Sequence, residues 1–112
     1  MTVQEFIQKL ADNAALDFED TMQVIADNYE YTATAFSNGD VENAAGTNEG
    51  SCKIFAFAQL NELDQAMTLR CFGRFYQDVL NTPEGTDHGN IRNFIQQGWD
   101  GIQFSGTALV AK

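Results

Sequence analysis

The chain has 112 residues, a length that suits one hydrophobic core, so a single domain over residues 1–112 is the expectation. Hydrophobic residues make up 44% of the sequence and include 9 Phe, 3 Tyr and 1 Trp, which is enough large apolar area to exclude a disordered chain. The 16 acidic residues outnumber the 6 basic ones and give a formal charge of -10, which excludes nucleic acid and membrane partners because such a surface repels phosphate backbones and anionic headgroups.

The first two predicted elements are helices with N-terminal caps. Thr2 and Glu5 fit a capping box, in which each side chain accepts the backbone N–H of the other residue. Asp17 is a second expected cap, and the helix that follows it is predicted to run to about Asn28. In the first helix the apolar residues recur at steps of three and four, which is typical of a helix that packs on a core: Val3, Phe6, Ile7, Leu10, Ala11 and Ala14.

The next stretch predicts a strand, a turn and a loop. In YEYTATAF, residues 29–36, aromatic residues and threonines alternate with small or polar ones, and this period of two favours a short strand. Asn38 and Gly39 then predict a tight turn, because this pair tolerates positive φ angles. Residues 41–48 have no clear period and are expected to form a loop.

A short helix over residues 52–60 is expected at the centre of the fold. Ser51 is its expected N-cap, and its apolar residues project to several sides rather than to one. Asp64 is predicted to cap the next helix, whose apolar face continues to Leu80. Gly73 lies inside that helix, where glycine costs about 1 kcal/mol relative to Ala, so its presence indicates close approach by a neighbouring helix.

The last part of the sequence predicts one more helix and a returning strand. Residues 88–97 form the helix, with Gly98 as a terminator in the left-handed α conformation. Residues 99–104 are expected to return as a strand beside residues 31–36, and residues 105–112 to form a loosely held tail. The predicted fold is therefore mainly α, with about five helices around a buried central helix and a short two-stranded β element; an α+β fold is the alternative.

Neither a metal site nor a cofactor is predicted. Cys52 and Cys71 are the only cysteines in the sequence, they form no CxxC pair, and the single His88 does not complete a zinc ligand set. The acidic clusters lack the spacing of a calcium loop. Because there is neither a signal peptide nor a disulfide-rich composition, the cysteines are expected to be free thiols in a reducing compartment, and the predicted location is the cytosol.

Cys52 is the candidate nucleophile. A cysteine in the first turn of a helix is where a thiolate is stabilised, and His88 with Asp87 would act as its base and orienting group. The alternative is that Cys52 is a small core residue and that His88 flanks the last helix. No feature of the sequence brings Cys52 and His88 within hydrogen-bonding reach, so the structural interpretation is preferred.

A second set of candidates would bind a ligand: Asn48, Glu49, Ser51, Arg92 and Trp99. The first three surround the start of the helix in GTNEGSCKIFAF, where free amides and partial positive charge can hold a carboxylate or phosphate. The carboxylate of Glu49 argues for simple capping instead, and the spacing is not that of a phosphate-binding loop. Arg92 would pair with a carboxylate or hold an acidic ligand, and Trp99 would pack in the core or form a pocket wall.

Three blocks of the sequence carry a family resemblance. NAAGTNEGSCKIFAFAQL, LRCFGRFYQDVL and NTPEGTDHGNIRNFIQQGWDGIQF, together with the YEYTATAFSNGD region, resemble the HopJ family, small bacterial proteins named as type III effectors. The likeness extends from that region to Phe104. The family name implies a secretion route but no known reaction, cofactor or catalytic residue, so the resemblance assigns no functional residue.

Together these patterns favour a non-catalytic binding or protein-interaction module in the bacterial cytosol, with an unknown protein partner or a small ligand. A type III secreted effector acting in a host cell is one alternative. The capped helix at Thr2 and the lack of any serine before Ser37 oppose it, because export signals are typically pliable and serine-rich. A small cysteine-dependent enzyme that uses Cys52 and His88 is the other alternative.

Overall fold

The computed structural model describes residues 1–12 and 15–112 of the chain. Across these residues the chain forms six α-helices, five short strands and a 3-10 turn over Gly98–Gly101. The helices are α1 (Val3–Ala11), α2 (Phe18–Asn28), α3 (Glu49–Leu60), α4 (Gln65–Arg70), α5 (Arg74–Asn81) and α6 (Gly89–Gln97). The strands are β1 (Tyr29–Tyr31), β2 (Phe36–Asn38), β3 (Val41–Asn43), β4 (Ile102–Phe104) and β5 (Leu109–Ala111). This architecture confirms the predicted mainly α fold with a small β element and fits its α+β alternative.

Both predicted caps near the start of the chain are confirmed. Thr2 Oγ1 accepts the Glu5 N–H at 3.1 Å, and Glu5 Oε1 accepts the Thr2 N–H at 3.2 Å. Asp17 caps α2 in the same way, with Asp20 Oδ2 accepting the Asp17 N–H at 2.8 Å. The predicted apolar position Ala14 lies outside the residues that the structure describes.

A three-stranded antiparallel sheet, in the order β3-β2-β4, contains the predicted turn. Gly39, with a φ of 60°, and Asp40 connect β2 to β3, so the turn predicted at Asn38 and Gly39 is confirmed. Phe104 of β4 lies opposite Phe36 of β2, which confirms that the chain returns as a strand beside this region.

The bounds of the strands differ from those predicted. Residues 32–35 are not in a strand, because the chain passes there from the two-stranded sheet of β1 to the three-stranded sheet of β2. The predicted loop over residues 41–48 contains β3, whose Asn43 lies opposite Phe36. Strands of three residues are too short to display a clear period of two, so the sequence pattern revealed neither the break at residues 32–35 nor β3.

The expectation of a loosely held tail is wrong. β5 pairs with β1 in antiparallel register, with Leu109 opposite Tyr31. Ala108 and Leu109 are 3% and 2% exposed, and the Lys112 N–H donates to the Asn28 carbonyl at 3.1 Å. Burial of apolar side chains and backbone hydrogen bonds therefore hold this segment in place.

α3 lies at the centre of the fold, as predicted. Four of its side chains have an exposed fraction of 0%: Ile54, Phe55, Phe57 and Ala58. Four other aromatic rings have centroids within 6.4 Å of the Phe55 ring: Phe36, Phe72, Phe94 and Trp99. Phe36 lies in β2 and Phe94 in α6, whereas Phe72 lies between α4 and α5 and Trp99 follows α6. Phe55 therefore packs the helices against the three-stranded sheet.

The start of α3 corrects the predicted role of Ser51. The helix begins at Glu49, so its N-cap is Asn48 rather than Ser51. Asn48 has a φ of 48° and a ψ of 45°, a left-handed conformation that asparagine tolerates better than most residues. Its Nδ2 donates to Asn43 Oδ1 at 2.7 Å, and this bond to the end of β3 fixes the turn into the helix earlier in the chain than predicted.

The single helix predicted from Asp64 to Leu80 is two helices, α4 and α5. Asp64 caps α4 as predicted, because its Oδ1 accepts the Met67 N–H at 2.8 Å. The break lies at Gly73, which has a φ of 58°, outside the helical range. A Cβ at Gly73 would lie 2.5 Å from the Phe18 backbone nitrogen, so the close approach by a neighbouring helix is confirmed.

The end of α6 differs from prediction in one angle. Gly98 has the expected positive φ, 61°, but its ψ is -152°, which is not the left-handed α conformation. The chain enters the 3-10 turn at this point instead of a left-handed cap. That turn leads directly into β4, which begins at Ile102.

Candidate functional site

A cleft of about 270 Å³ opens between the first turns of α3 and α6. We refer to it as the His88 cleft. Its lining includes Asn48, Ser51, Phe72, Phe75, His88 and Asn90. Three of the residues that the sequence suggested as candidates, Asn48, Ser51 and His88, therefore line the same cavity.

The His88 cleft lies at the positive ends of two helix dipoles. His88 is the N-cap of α6, with a φ of 52° and a ψ of 48°, the same left-handed conformation as Asn48 at the start of α3. Neither residue makes a side-chain capping bond. The first turns of both helices, which include Ser51 and Asn90, line the cleft, so their partial positive charges meet there.

Four asparagines, the asparagine network, tie these two helix starts to the β2–β3 hairpin. Asn90 Nδ2 donates to Asn43 Oδ1 at 3.0 Å, and Asn43 Nδ2 donates to Asn90 Oδ1 at 3.2 Å. Asn38 Nδ2 donates to the Asn90 carbonyl at 2.8 Å, and Asn48 Nδ2 to Asn43 Oδ1 at 2.7 Å. The network therefore fixes the position of both helix starts, and three of its members are buried.

Sequence reasoning selected only Asn48 from this network. The position of Asn38 beside Gly39 is fully explained by a turn, so the local sequence does not indicate that its side chain bonds to Asn90. A usable signal exists at Asn38: it lies two residues after Phe36, so both side chains share one face of β2. A polar residue on the face that carries a core phenylalanine indicates a buried hydrogen-bond partner.

His88 is a partly exposed side chain that packs on Phe75. The two ring centroids lie 5.3 Å apart. Its Nε2 lies 3.6 Å from Asp78 Oδ2 and 3.7 Å from Asp87 Oδ2. Both distances are longer than a hydrogen bond, so neither carboxylate holds the imidazole as an orienting group would in a catalytic pair.

Cys52 lies in the core and does not line the His88 cleft. Its exposed fraction is 1%, and its Sγ donates to the Thr34 carbonyl at 3.5 Å. Burial raises the pKa of the Cys52 thiol, so the neutral thiol prevails at neutral pH. Cys71 is also free and buried, and burial raises the pKa of its thiol to about 12. This geometry agrees with the interpretation of Cys52 as a small core residue.

Arg92 holds the connection between α5 and α6 rather than lining the His88 cleft. Its Nη2 donates to Asp87 Oδ1 at 2.7 Å and its Nη1 to the Thr82 carbonyl at 2.7 Å. The hydrogen bond from Arg92 lowers the pKa of the Asp87 carboxyl. Asp87 therefore pairs with Arg92 instead of bonding to His88. This geometry agrees with the interpretation in which Arg92 pairs with a carboxylate.

Trp99 and Glu49 also lie away from the cleft. Trp99 Nε1 donates to the Leu63 carbonyl at 3.1 Å, and its ring centroid lies 5.1 Å from that of Phe94. Its geometry is that of a packing anchor. Glu49 is exposed in the first turn of α3 and does not contribute to the cleft lining.

In the part of the chain that the structure describes, no group of three or more His, Cys, Asp or Glu residues is arranged so that it could hold a metal ion. Across residues 1–12 and 15–112, no helix has the length and apolar content that a membrane crossing requires.

The family described as HopJ type III effector protein matches residues 3–109 of the chain. A crystal structure described as that of the unknown function protein VPA0580 is 56% identical in sequence, with a TM-score of 0.97, over 100% of this chain and 95% of that one. No curated protein matches the chain. The matched range contains the asparagine network and the lining of the His88 cleft. The chain therefore belongs to the HopJ type III effector family.

Proposed function

We propose that this chain is a non-catalytic binding module and that the His88 cleft is its ligand site. The observation that carries the proposal is the convergence of Asn48, Ser51 and His88 on one cavity that also has Phe72 and Phe75 in its lining. Cavities with aromatic walls and a few placed polar groups are the usual form of small-molecule sites in proteins.

The cleft favours a compact ligand with one carboxylate or phosphate group. Its volume of about 270 Å³ lies just below the roughly 300–1,000 Å³ of pockets for drug-sized ligands. The two helix dipoles favour an anionic group, the Ser51 hydroxyl can donate to it, and the Phe75 ring can cover an apolar remainder. Asp78 and Asp87 lie beside His88 and disfavour a highly charged anion.

The proposal assigns no reaction to the cleft. A cysteine-dependent mechanism needs a thiolate within reach of its base and of a substrate. The Cys52 thiol is 1% exposed, and its pKa is raised by burial. A binding protein therefore fits this geometry better than a cysteine-dependent enzyme, in which Cys52 would have to leave the core.

A titration followed by amide chemical shifts tests the proposal, with acetate, benzoate and inorganic phosphate as separate probes. We expect changes centred on Gly50, Ser51, Gly89 and Asn90, in the first turns of the two helices. Ser51→Ala should weaken binding by about threefold to tenfold, because a hydroxyl hydrogen bond is lost. Ser37→Ala is the matched control, because Ser37 is also a partly buried serine but lies on β2.

The control variant should bind the probes as tightly as the unmodified chain. Spectra that stay unchanged with all of the probes, or shifts centred away from the two helix starts, contradict the proposal. Equal weakening by both serine substitutions contradicts it as well, because the effect would then not arise in the cleft.

A secreted effector is the second candidate, and the description of the matching family favours it. A fusion of the N-terminal part of the chain to a translocation reporter, expressed in a cell with an active type III system, provides the test. Export that stops when the secretion system is disabled supports the effector role. Retention of the reporter inside a secretion-competent cell rules it out.

A further inference from the structure

Asn38 is the only asparagine in the sequence that precedes a glycine. In an Asn-Gly pair the backbone nitrogen of the glycine can attack the side-chain amide carbon of the asparagine, because the glycine has no side chain that obstructs the approach. Such a pair loses ammonia by deamidation more readily than an asparagine that precedes a larger residue. The turn between β2 and β3 therefore contains the most reactive asparagine of the chain when no structure restrains it.

The fold restrains both groups that this reaction needs. Asn38 has an exposed fraction of 0%, and its Nδ2 donates to the Asn90 carbonyl at 2.8 Å and to Asn90 Oδ1 at 3.1 Å. The Gly39 N–H must lose its proton before the nitrogen can attack, and it donates to the Gly101 carbonyl at 2.9 Å. The reaction therefore requires that this part of the chain first detach from α6 and from the 3-10 turn.

An aspartate at the position of Asn38 would find no hydrogen-bond donor. The groups that face Asn38 Nδ2 are the carbonyl and Oδ1 of Asn90, and both are acceptors. Asn38 Oδ1 has no donor in the part of the chain that the structure describes. A carboxylate there would be a buried charge that faces two oxygen atoms, which is far more costly than a buried neutral amide.

An isoaspartate would disrupt β2 in a different way. In this product the main chain passes through the former side-chain carbon, so the backbone is longer by one methylene group. Asn38 lies opposite Val41 of β3 and opposite Ile102 of β4. The extra backbone atom would displace both pairings, because the register of a short strand leaves no room for it.

We propose that Asn38 is a deamidation site that reacts when the fold opens and whose products prevent refolding. The Gly39 nitrogen loses its proton and bonds to Asn38 Cγ, the bond between Cγ and Nδ2 breaks, and Nδ2 leaves as ammonia with that proton. Water then opens the resulting imide at Cγ to give aspartate, or at the main-chain carbonyl to give isoaspartate. Neither step is a redox reaction. The site is independent of the ligand proposed for the His88 cleft.

The rate of deamidation is the first test. The full chain is incubated at mildly alkaline pH in buffer and in guanidinium chloride, and peptide mass spectrometry follows each asparagine separately. In denaturant we expect Asn38 to react faster than every other asparagine. In buffer we expect Asn38 to react at least about tenfold more slowly than in denaturant, because the rate in the folded chain follows the population of the open form.

Refolding of the aged chains is the second test. Chains that were kept in denaturant are diluted into buffer, and the folded fraction is separated by size-exclusion chromatography. We expect the folded fraction to contain unmodified Asn38 and the misfolded fraction to contain its aspartate and isoaspartate products. Fresh chains treated in the same way are the control and should refold.

The substitution N38D supplies one product directly. We expect it to lower the melting temperature by at least about 8 °C, because a buried carboxylate lacks donors there. This deficit should shrink as the pH falls from about 7 to about 4, because a protonated carboxyl can donate to the Asn90 carbonyl. The matched control is N81D, which adds the same charge at an exposed residue and should lower the melting temperature by less than about 4 °C.

Slow reaction in buffer, modified Asn38 confined to the misfolded fraction, and a deficit specific to N38D support the proposal. Complete failure of N38D to fold at neutral pH is the extreme of the expected loss and supports it too. Equal rates in buffer and in denaturant overturn it, because the bonds to Asn90 and Gly101 would then give no protection. Refolding of chains modified at Asn38, or equal effects of N38D and N81D, overturns it as well.

Discussion

Cys52 shows at the scale of one residue how burial outweighs a favourable position. The first turn of α3 contains this thiol, and a helix dipole stabilises an anion by about 0.3–1 kcal/mol at an exposed site. Desolvation acts in the opposite direction, and removal from water can raise the pKa of a group by several units. Burial is the largest influence on Cys52, so its pKa rises despite the helix start.

We expect iodoacetamide to modify Cys52 in the folded protein at least about tenfold more slowly than it modifies glutathione at neutral pH, because both the thiolate fraction and the access are low. Intact-mass spectrometry of Cys71→Ser gives the rate of Cys52 alone. In denaturant the same thiol should react as quickly as glutathione. Rapid labelling of Cys52 in the folded chain would restore the cysteine-dependent mechanism.

Asn90 takes part in more of the hydrogen bonds of the asparagine network than any other member. Asn90→Ala should lower the free energy of unfolding by about 1–3 kcal/mol, because it leaves the buried Nδ2 of Asn43 without its acceptor, whereas Asn38 Nδ2 keeps the Asn90 backbone carbonyl. Asn81→Ala is the control, since Asn81 is exposed at the end of α5, and should change the value by no more than about 0.5 kcal/mol. Urea unfolding followed by circular dichroism measures both. Equal effects would mean that water replaces the lost amide.

Apart from α5, which follows Gly73, the described helices have starts of two kinds, and only one kind could be predicted from the sequence. Three helices begin with side-chain caps whose bonds span a few residues: Thr2, Asp17 and Asp64. α3 and α6 begin instead with left-handed residues, Asn48 and His88. The bond from Asn48 to the β3 residue Asn43 is tertiary, so the local sequence favoured Ser51 as the cap and the prediction was wrong.

The break between α4 and α5 is also set by a tertiary contact. Gly73→Ala should destabilise the chain by roughly 2–4 kcal/mol, because its Cβ would lie 2.5 Å from the Phe18 nitrogen and its φ of 58° disfavours alanine. Gly89→Ala is the matched control, since a Cβ there meets no atom within 4 Å. It should leave stability unchanged or increase it by up to about 1 kcal/mol. Thermal unfolding compares the two, and equal effects would show that the contact with α2 does not require glycine.

At the scale of the whole molecule, most of the helices could be predicted from the sequence, but the contacts between them could not. The apolar residues of the helix over residues 52–60 face several directions, which predicts a central position, and the structure confirms this position. The strands have three residues each, so their bounds could not be taken from a period of two. The His88 cleft depends on α3 and α6 coming together, and nothing in the local sequence of Asn48 or His88 encodes that contact.

The pairing of β1 with β5 also determines when the fold can be completed during synthesis. Tyr29 lies opposite Ala111, 82 residues further along the chain. Ribosomes add roughly 5–20 residues per second, so β1 exists for about 4–16 s before its partner strand is made. Throughout that interval the edge of β1 that pairs with β5 lacks its partner, and an unpaired strand edge is a template for other chains. A growing copy of this protein is therefore open to strand addition by a chaperone or by a neighbouring nascent chain.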